Sequence, residues 1–135
     1  MNSDELTDLI ATGLDAAVPA VEILPFGTEK EMNHPGAVVQ VSAMEEHEIL
    51  LGTFTGTVEC NLYTIPADTT FAAHAVMAED ILAWLCDQSK VGPSLGARYS
   101  IPEIDGVWDA RSLTAESGGI RASQLAVSLV VVQLT

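Results

Sequence analysis

The last apolar run of the chain constrains its fold most. Read as extended from Ala122 to Leu134, it puts Leu125, Val127, Leu129 and Val131 on one face and Ala126, Val130, Val132 and Leu134 on the other, because successive side chains of a strand point to opposite sides. A strand that is apolar on both faces lies centrally in a sheet or is covered by a neighbouring chain. The rest of the sequence must therefore supply flanking strands and a cover.

It does so in a readable order. Ser3 stands before Asp4 and Glu5, a hydroxyl cap followed by acids where the helix dipole favours them, and Leu6, Leu9, Ile10 and Leu14 recur at helical spacing. This predicts a helix over about 4–17. Val21–Leu24 reads as a short strand stopped by Pro25, and Phe26–Gly36 as a surface loop. Ala37–Ala43 is β-branched and extended, with Glu45, Glu46, His47 and Glu48 following as a connection. Ile49–Ile65 alternates with the period of a half-buried strand, and Gly52 and Gly56 predict a bend that divides it. Thr69 or Thr70 caps a helix over Phe71–Asp87, whose stripe is Phe71, Ala75, Ala78, Leu82 and Leu85. Gly92-Pro93-Ser94 ends that region. Strands follow at Arg98–Ile101, Val107–Leu113 and Ala122–Leu134, broken at Pro102, at Asp105-Gly106 and at Ser117-Gly118-Gly119. The predicted class is α+β, a mainly antiparallel sheet with two helices on one face.

A chain of 135 residues, 48% of them hydrophobic, fits one domain and can bury its core without disulfide or metal staples. Cys60 and Cys86 match no metal or redox spacing and read as free thiols. The acidic start MNSDEL lacks the basic flank of a signal peptide, so a cytoplasmic chain is expected. The longest apolar run, Leu125–Leu134, is about half the ~20 residues a membrane-spanning helix needs, so no membrane partner is expected. Nineteen acidic residues against five basic ones give a net charge of −14, with Lys30, Lys90, Arg98, Arg111 and Arg121 never clustered. Such a surface has no footprint for gripping phosphates, and specific nucleic-acid binding is excluded.

Chemistry-bearing constellations are sparse. Glu45-Glu46-His47-Glu48 gathers three carboxylates and an imidazole, yet lacks the two histidines four apart that a helical zinc site uses, and reads as a solvated acidic loop. His74 falls beside the helix stripe as a boundary histidine with a hydrogen-bonded ring. No serine sits in a nucleophile elbow, and Gly92–Gly96 lacks the Lys-Ser/Thr of a phosphate loop. Catalytic residues, metal ligands and cofactors are thus expected to be none. Trp84 reads as core or boundary packing. Trp108, beside a turn and two acids, reads as an interface anchor.

The order of elements resembles a tail terminator, or tail-completion, protein of a long-tailed bacteriophage. The likeness is carried by the helix SDELTDLIATGLDAA, the strand entry His34–Val41, the segment Leu62–Asp68 leading into the helix through Trp84, and the pair Gly106–Asp109 and Ala126–Val132. The resemblance implies a non-enzymatic virion protein of the tail or neck, assembled in the host cytoplasm. Its expected form is a homo-oligomer, a hexameric ring, that caps the tail tube protein, ends polymerisation and meets the head–tail connector protein. DNA would slide through the channel, and the acidic balance suits a surface that must not hold it. On this reading Glu29, Glu31, Glu45, Glu46, Glu48 and Trp108 are the interaction or channel surface. A tube or neck protein of the same tail, and a small α+β ligand-binding domain, are the alternatives.

Overall fold

The computed structural model describes residues 3–96, 99–117 and 119–134; the side chains of residue 43 and of residues 102–117 lie outside that description. The chain forms α1 (Ser3–Ala17), β1 (Glu22–Pro25), β2 (Gly36–Glu46), β3 (Thr53–Thr64), α2 (Phe71–Leu85), α3 (Gln88–Ser94), β4 (Tyr99–Ser117) and β5 (Ile120–Gln133). One five-stranded sheet runs β1-β2-β3-β5-β4. Only β1 and β2 pair in parallel; the other neighbours are antiparallel. The class is α+β, with the doubly apolar β5 in the sheet interior.

The core lies between the sheet and the helices. From β2, β3 and β5 it takes Ala37, Val39, Val41, Val58, Cys60, Leu62, Leu125, Val127, Leu129 and Val131, and α1 answers with Leu6, Ile10 and Leu14, one per turn. Burial holds the Cys60 thiol up at about 12. Thr7 is buried in α1 for a specific reason. Past the last β1–β2 pair at Val39, its hydroxyl accepts the Val41 N–H at 3.0 Å and so satisfies a β2 amide that β1 is too short to reach. Asp15 likewise accepts the Ile23 N–H on β1 at 3.0 Å.

Several sequence expectations need correction. There are three helices among the described residues, not two. Asp87 ends nothing: its carboxylate accepts the Ser89 N–H at 3.0 Å and caps α3, and Val91 and Leu95, four apart, bury against the core. The buried face of α2 is His74, Ala78, Ile81, Trp84 and Leu85, rotated from the expected stripe, so Phe71 is 60% exposed and Leu82 only partly buried. Thr70 supplies the cap, accepting the Ala73 N–H at 3.1 Å.

In the sheet, Glu45 and Glu46 are the end of β2 and not a connection, while Ile49–Leu51 lie outside any strand. Gly56 does not divide β3. The irregularity is in β2 between Ser42 and Glu45, and the Met44 thioether crosses over Gly56, so a Cβ there would make that side chain move aside. β4 is continuous in backbone. The breaks expected at Pro102 and Asp105-Gly106 are absorbed as register shifts between Ser100 and Glu103 and between Ile104 and Gly106, the way a strand accommodates a residue that cannot donate or pack.

Candidate interaction surface

Two arrangements outside the apolar core could carry function, and they differ in access. The first is a buried polar cluster under α2. His74 is 2% exposed; its Nε2 lies 2.7 Å from Ser123 Oγ on β5 and its Nδ1 2.7 Å from Thr64 Oγ1 on β3. A hydroxyl and an imidazole at that distance match a nucleophile and its base. Here, though, the second ring nitrogen meets a threonine hydroxyl where a triad places a carboxylate, and Thr64 and Ser123 are both buried. Burial, and secondarily the nearby Arg121 charge, hold the His74 pKa below its ordinary 6.5, so the ring is neutral and each nitrogen serves one hydroxyl. Arg121 completes the cluster by donating Nη1 to the Thr69 carbonyl at 3.2 Å, with its guanidinium 5.4 Å from the Phe71 ring centre. The cluster pins α2 to two strands. It has the chemistry of a structural network.

The second arrangement is exposed, at the turn between β2 and β3. Ile49, Leu50 and Leu51 are 82%, 58% and 80% exposed, three large aliphatic side chains in a row facing solvent. The turn beneath them is built, not loose. His47 Nδ1 accepts the N–H of Ile49 at 3.2 Å and of Leu50 at 3.1 Å, and Glu46 Oε2 accepts the Gly52 N–H at 3.0 Å. Thr53 donates to the Leu50 carbonyl and His47 to the Thr53 carbonyl, closing the hairpin. Gly52 takes φ +81°, a left-handed conformation that side chains disfavour. Gln133 donates to the Gly52 carbonyl at 2.8 Å, which sets Leu134, itself half exposed, beside the same tip.

A third feature sits on the sheet face away from the helices. The loop after β1 is tied down by Glu22, whose carboxylate accepts the Asn33 N–H at 3.0 Å and pairs with Lys30 Nζ at 3.3 Å. Those contacts, the Asn33 amide first, lower the Glu22 pKa. The fixed loop and the β2–β3 face enclose a pocket of about 330 Å³ lined by Phe26, Lys30, Met32, Val38 and Tyr63 among others.

The residues singled out from the sequence do not form one patch. Glu29 and Glu31 are exposed in the loop after β1, next to the start of β2, whereas Glu45 and Glu46 end that strand and Glu48 lies in the turn beyond. From Val39 to Glu46 the strand runs seven residues, about 23 Å at the usual rise. Within the second group Glu46 and His47 brace the turn, a role their reading as a solvated loop did not include. The side chain of Trp108 lies outside the described residues. Ile49–Leu51 were missed because an apolar triplet continuing an alternating run reads as buried strand; the Gly52 that ends it was the available signal.

No protein-family model matches this sequence, and no curated protein does. Among solved structures 27 chains match. One of them, a protein whose name states no function, aligns over 95% of this chain and 90% of its own with a TM-score of 0.58 at 15% identity, a likeness of fold alone.

Proposed function

We propose that this chain is a non-enzymatic virion protein of the tail-terminator type: a ring in the tail or neck that caps the tail tube, ends its polymerisation and joins it to the head connector. The observation that carries the assembly reading is the braced β2–β3 tip. Covering an exposed Leu or Ile contributes about 1.5–3 kcal/mol, and a turn held by five internal hydrogen bonds presents Ile49, Leu50 and Leu51 with little further ordering cost. A surface of that kind gains from a protein partner. The terminator reading rests in addition on the resemblance in element order, and the charge of −14 suits a ring through which DNA passes unheld.

The test combines analytical ultracentrifugation of the purified protein with electron microscopy of tail-tube subunits polymerising in its presence. A terminator forms one closed ring, alone or on the tube, and shortens the tubes. Unlimited stacking by the protein itself would make it a tube protein instead. A chain that stays monomeric at high concentration and leaves tube length unchanged would overturn the assembly reading.

A further inference from the structure

The pocket on the open face of the sheet has a soft, uncharged interior inside an acidic surround. The β2–β3 register builds the floor: Val38 pairs with Asn61, Gln40 with Glu59 and Gly36 with Tyr63, all on the face away from the helices. Met32 lies over Gly36, in space that a side chain there would take, at the position opposite Tyr63. Phe26 and Tyr63 put two aromatic rings in the wall. Among the described residues the half-buried amides of Gln40 and Asn61 and the Tyr63 hydroxyl have no hydrogen-bond partner in the protein. Around this interior stand Glu22, Glu29 and Glu31 on the loop side and Glu59 opposite Gln40, against the single cation Lys30, which Glu22 holds at 3.3 Å. Four carboxylates against one ammonium leave an excess of three negative charges.

We infer that this pocket takes the arginine side chain of a basic protein partner. The inference goes beyond the terminator reading and does not depend on it. A volume of about 330 Å³ lies at the small end of the roughly 300–1,000 Å³ of ligand pockets and suits one long side chain better than a large cofactor. The acidic surround repels phosphates and carboxylates and gathers cations. Between the two common cations, the walls select arginine. Its guanidinium is flat and weakly hydrated, stacks on aromatic faces such as those of Phe26 and Tyr63, and carries five N–H donors for the amide oxygens of Gln40 and Asn61 and the Tyr63 oxygen. Lys30 opposes it little, because its charge is already matched by Glu22. Charge also argues against a second copy as the source, which would bring a further −14 to an acidic rim, whereas a basic protein is drawn to it.

Capped peptides test this on the purified chain by NMR. Acetyl-Gly-Arg-Gly-amide should shift the side-chain amide signals of Gln40 and Asn61 and the ring signals of Phe26 and Tyr63 to saturation. The matching lysine peptide should bind several-fold more weakly, and the citrulline peptide, flat but uncharged, more weakly still. Glu29→Gln combined with Glu31→Gln should weaken the arginine peptide several-fold, as should added salt. Phe26→Ala, at a side chain 63% exposed and so without cost to folding, should remove most of the preference for arginine over lysine. Equal binding of the citrulline peptide would assign the pocket to neutral planar groups, and tighter binding of free arginine than of the capped peptide would assign it to the free amino acid. Concentration-dependent shifts at the same residues in the protein alone, lost in Arg98→Gln or Arg111→Gln, would make a second copy the occupant. Each of these results, or the absence of any saturable shift, overturns the inference. None of the readouts needs assembly, so a chain that never forms a ring leaves the arginine site standing, and an assembled ring that ignores the peptides overturns the site alone.

Discussion

His74 concentrates what single residues do in this protein. Its two ring nitrogens each meet a hydroxyl, Thr64 on one strand and Ser123 on another, so one helical residue links three elements through bonds at 2.7 Å. The two hydroxyls could serve a neutral or a protonated ring, but protonation would place a charge in a buried site and beside Arg121, so burial first and the Arg121 charge second favour the neutral form. Its folded-state pKa is therefore below the ordinary 6.5, and as pH falls through 6.5 the unfolded chain takes up a proton that the folded chain resists. Stability present above pH 6.5 should drain away from there down to the lower folded-state value. Denaturant titrations between pH 7.5 and 5 should show this decline in the natural protein and a flatter one in His74→Gln, which keeps a polar side chain that does not titrate. Equal slopes in the two would mean that His74 is not the group responsible.

Among the elements, α2 shows how tertiary packing chooses a helix face. A stripe through Phe71, Ala75, Ala78, Leu82 and Leu85 and one through His74, Ala78, Ile81 and Leu85 both satisfy helical periodicity, since the two are offset by a fraction of a turn. The sheet selects the second: Ile81 is fully buried and Leu82 only partly. Ile81→Ala should accordingly cost about 2–5 kcal/mol, the range for emptying a sealed aliphatic site, with Leu82→Ala clearly less. Urea melts of the two variants decide the rotation, and a larger loss at Leu82 would reverse it. The β2–β3 hairpin makes a parallel point, because Glu46 and His47 act there through local bonds to turn amides.

For the molecule as a whole, charge is the dominant property. Among the described residues Lys30 and Lys90 each lie beside a carboxylate, at 3.3 Å and 4.0 Å, and Arg121 is buried beneath Phe71, so the cations that remain visible are already committed or covered. With so few phosphates to neutralise, the protein should show no measurable binding to duplex DNA near physiological salt, in fluorescence anisotropy with a labelled duplex. Binding that weakens steeply as salt rises would contradict the view of an acidic surface past which DNA slides.

The α+β class, the first helix and the acidic, cation-poor surface were legible in the residues alone, whereas the doubly apolar last strand left open whether a sheet or a neighbouring chain covers it. Those three follow from local periodicity or plain composition, quantities that need no knowledge of partners in space. Long-range packing set the place of β5 between β3 and β4, the rotation of α2, the third helix capped by Asp87, the continuity of β4 through Pro102, and the sealing of Ser123 against His74. Those depend on which atoms 10 to 50 positions away come within reach, as with Thr64 and Ser123 around one ring. The exposed tip belongs to the same class. Whether Ile49, Leu50 and Leu51 face a core or solvent is set by where the hairpin turns, and the turn is set by Gly52 and by the side chains of Glu46 and His47 folding back onto it.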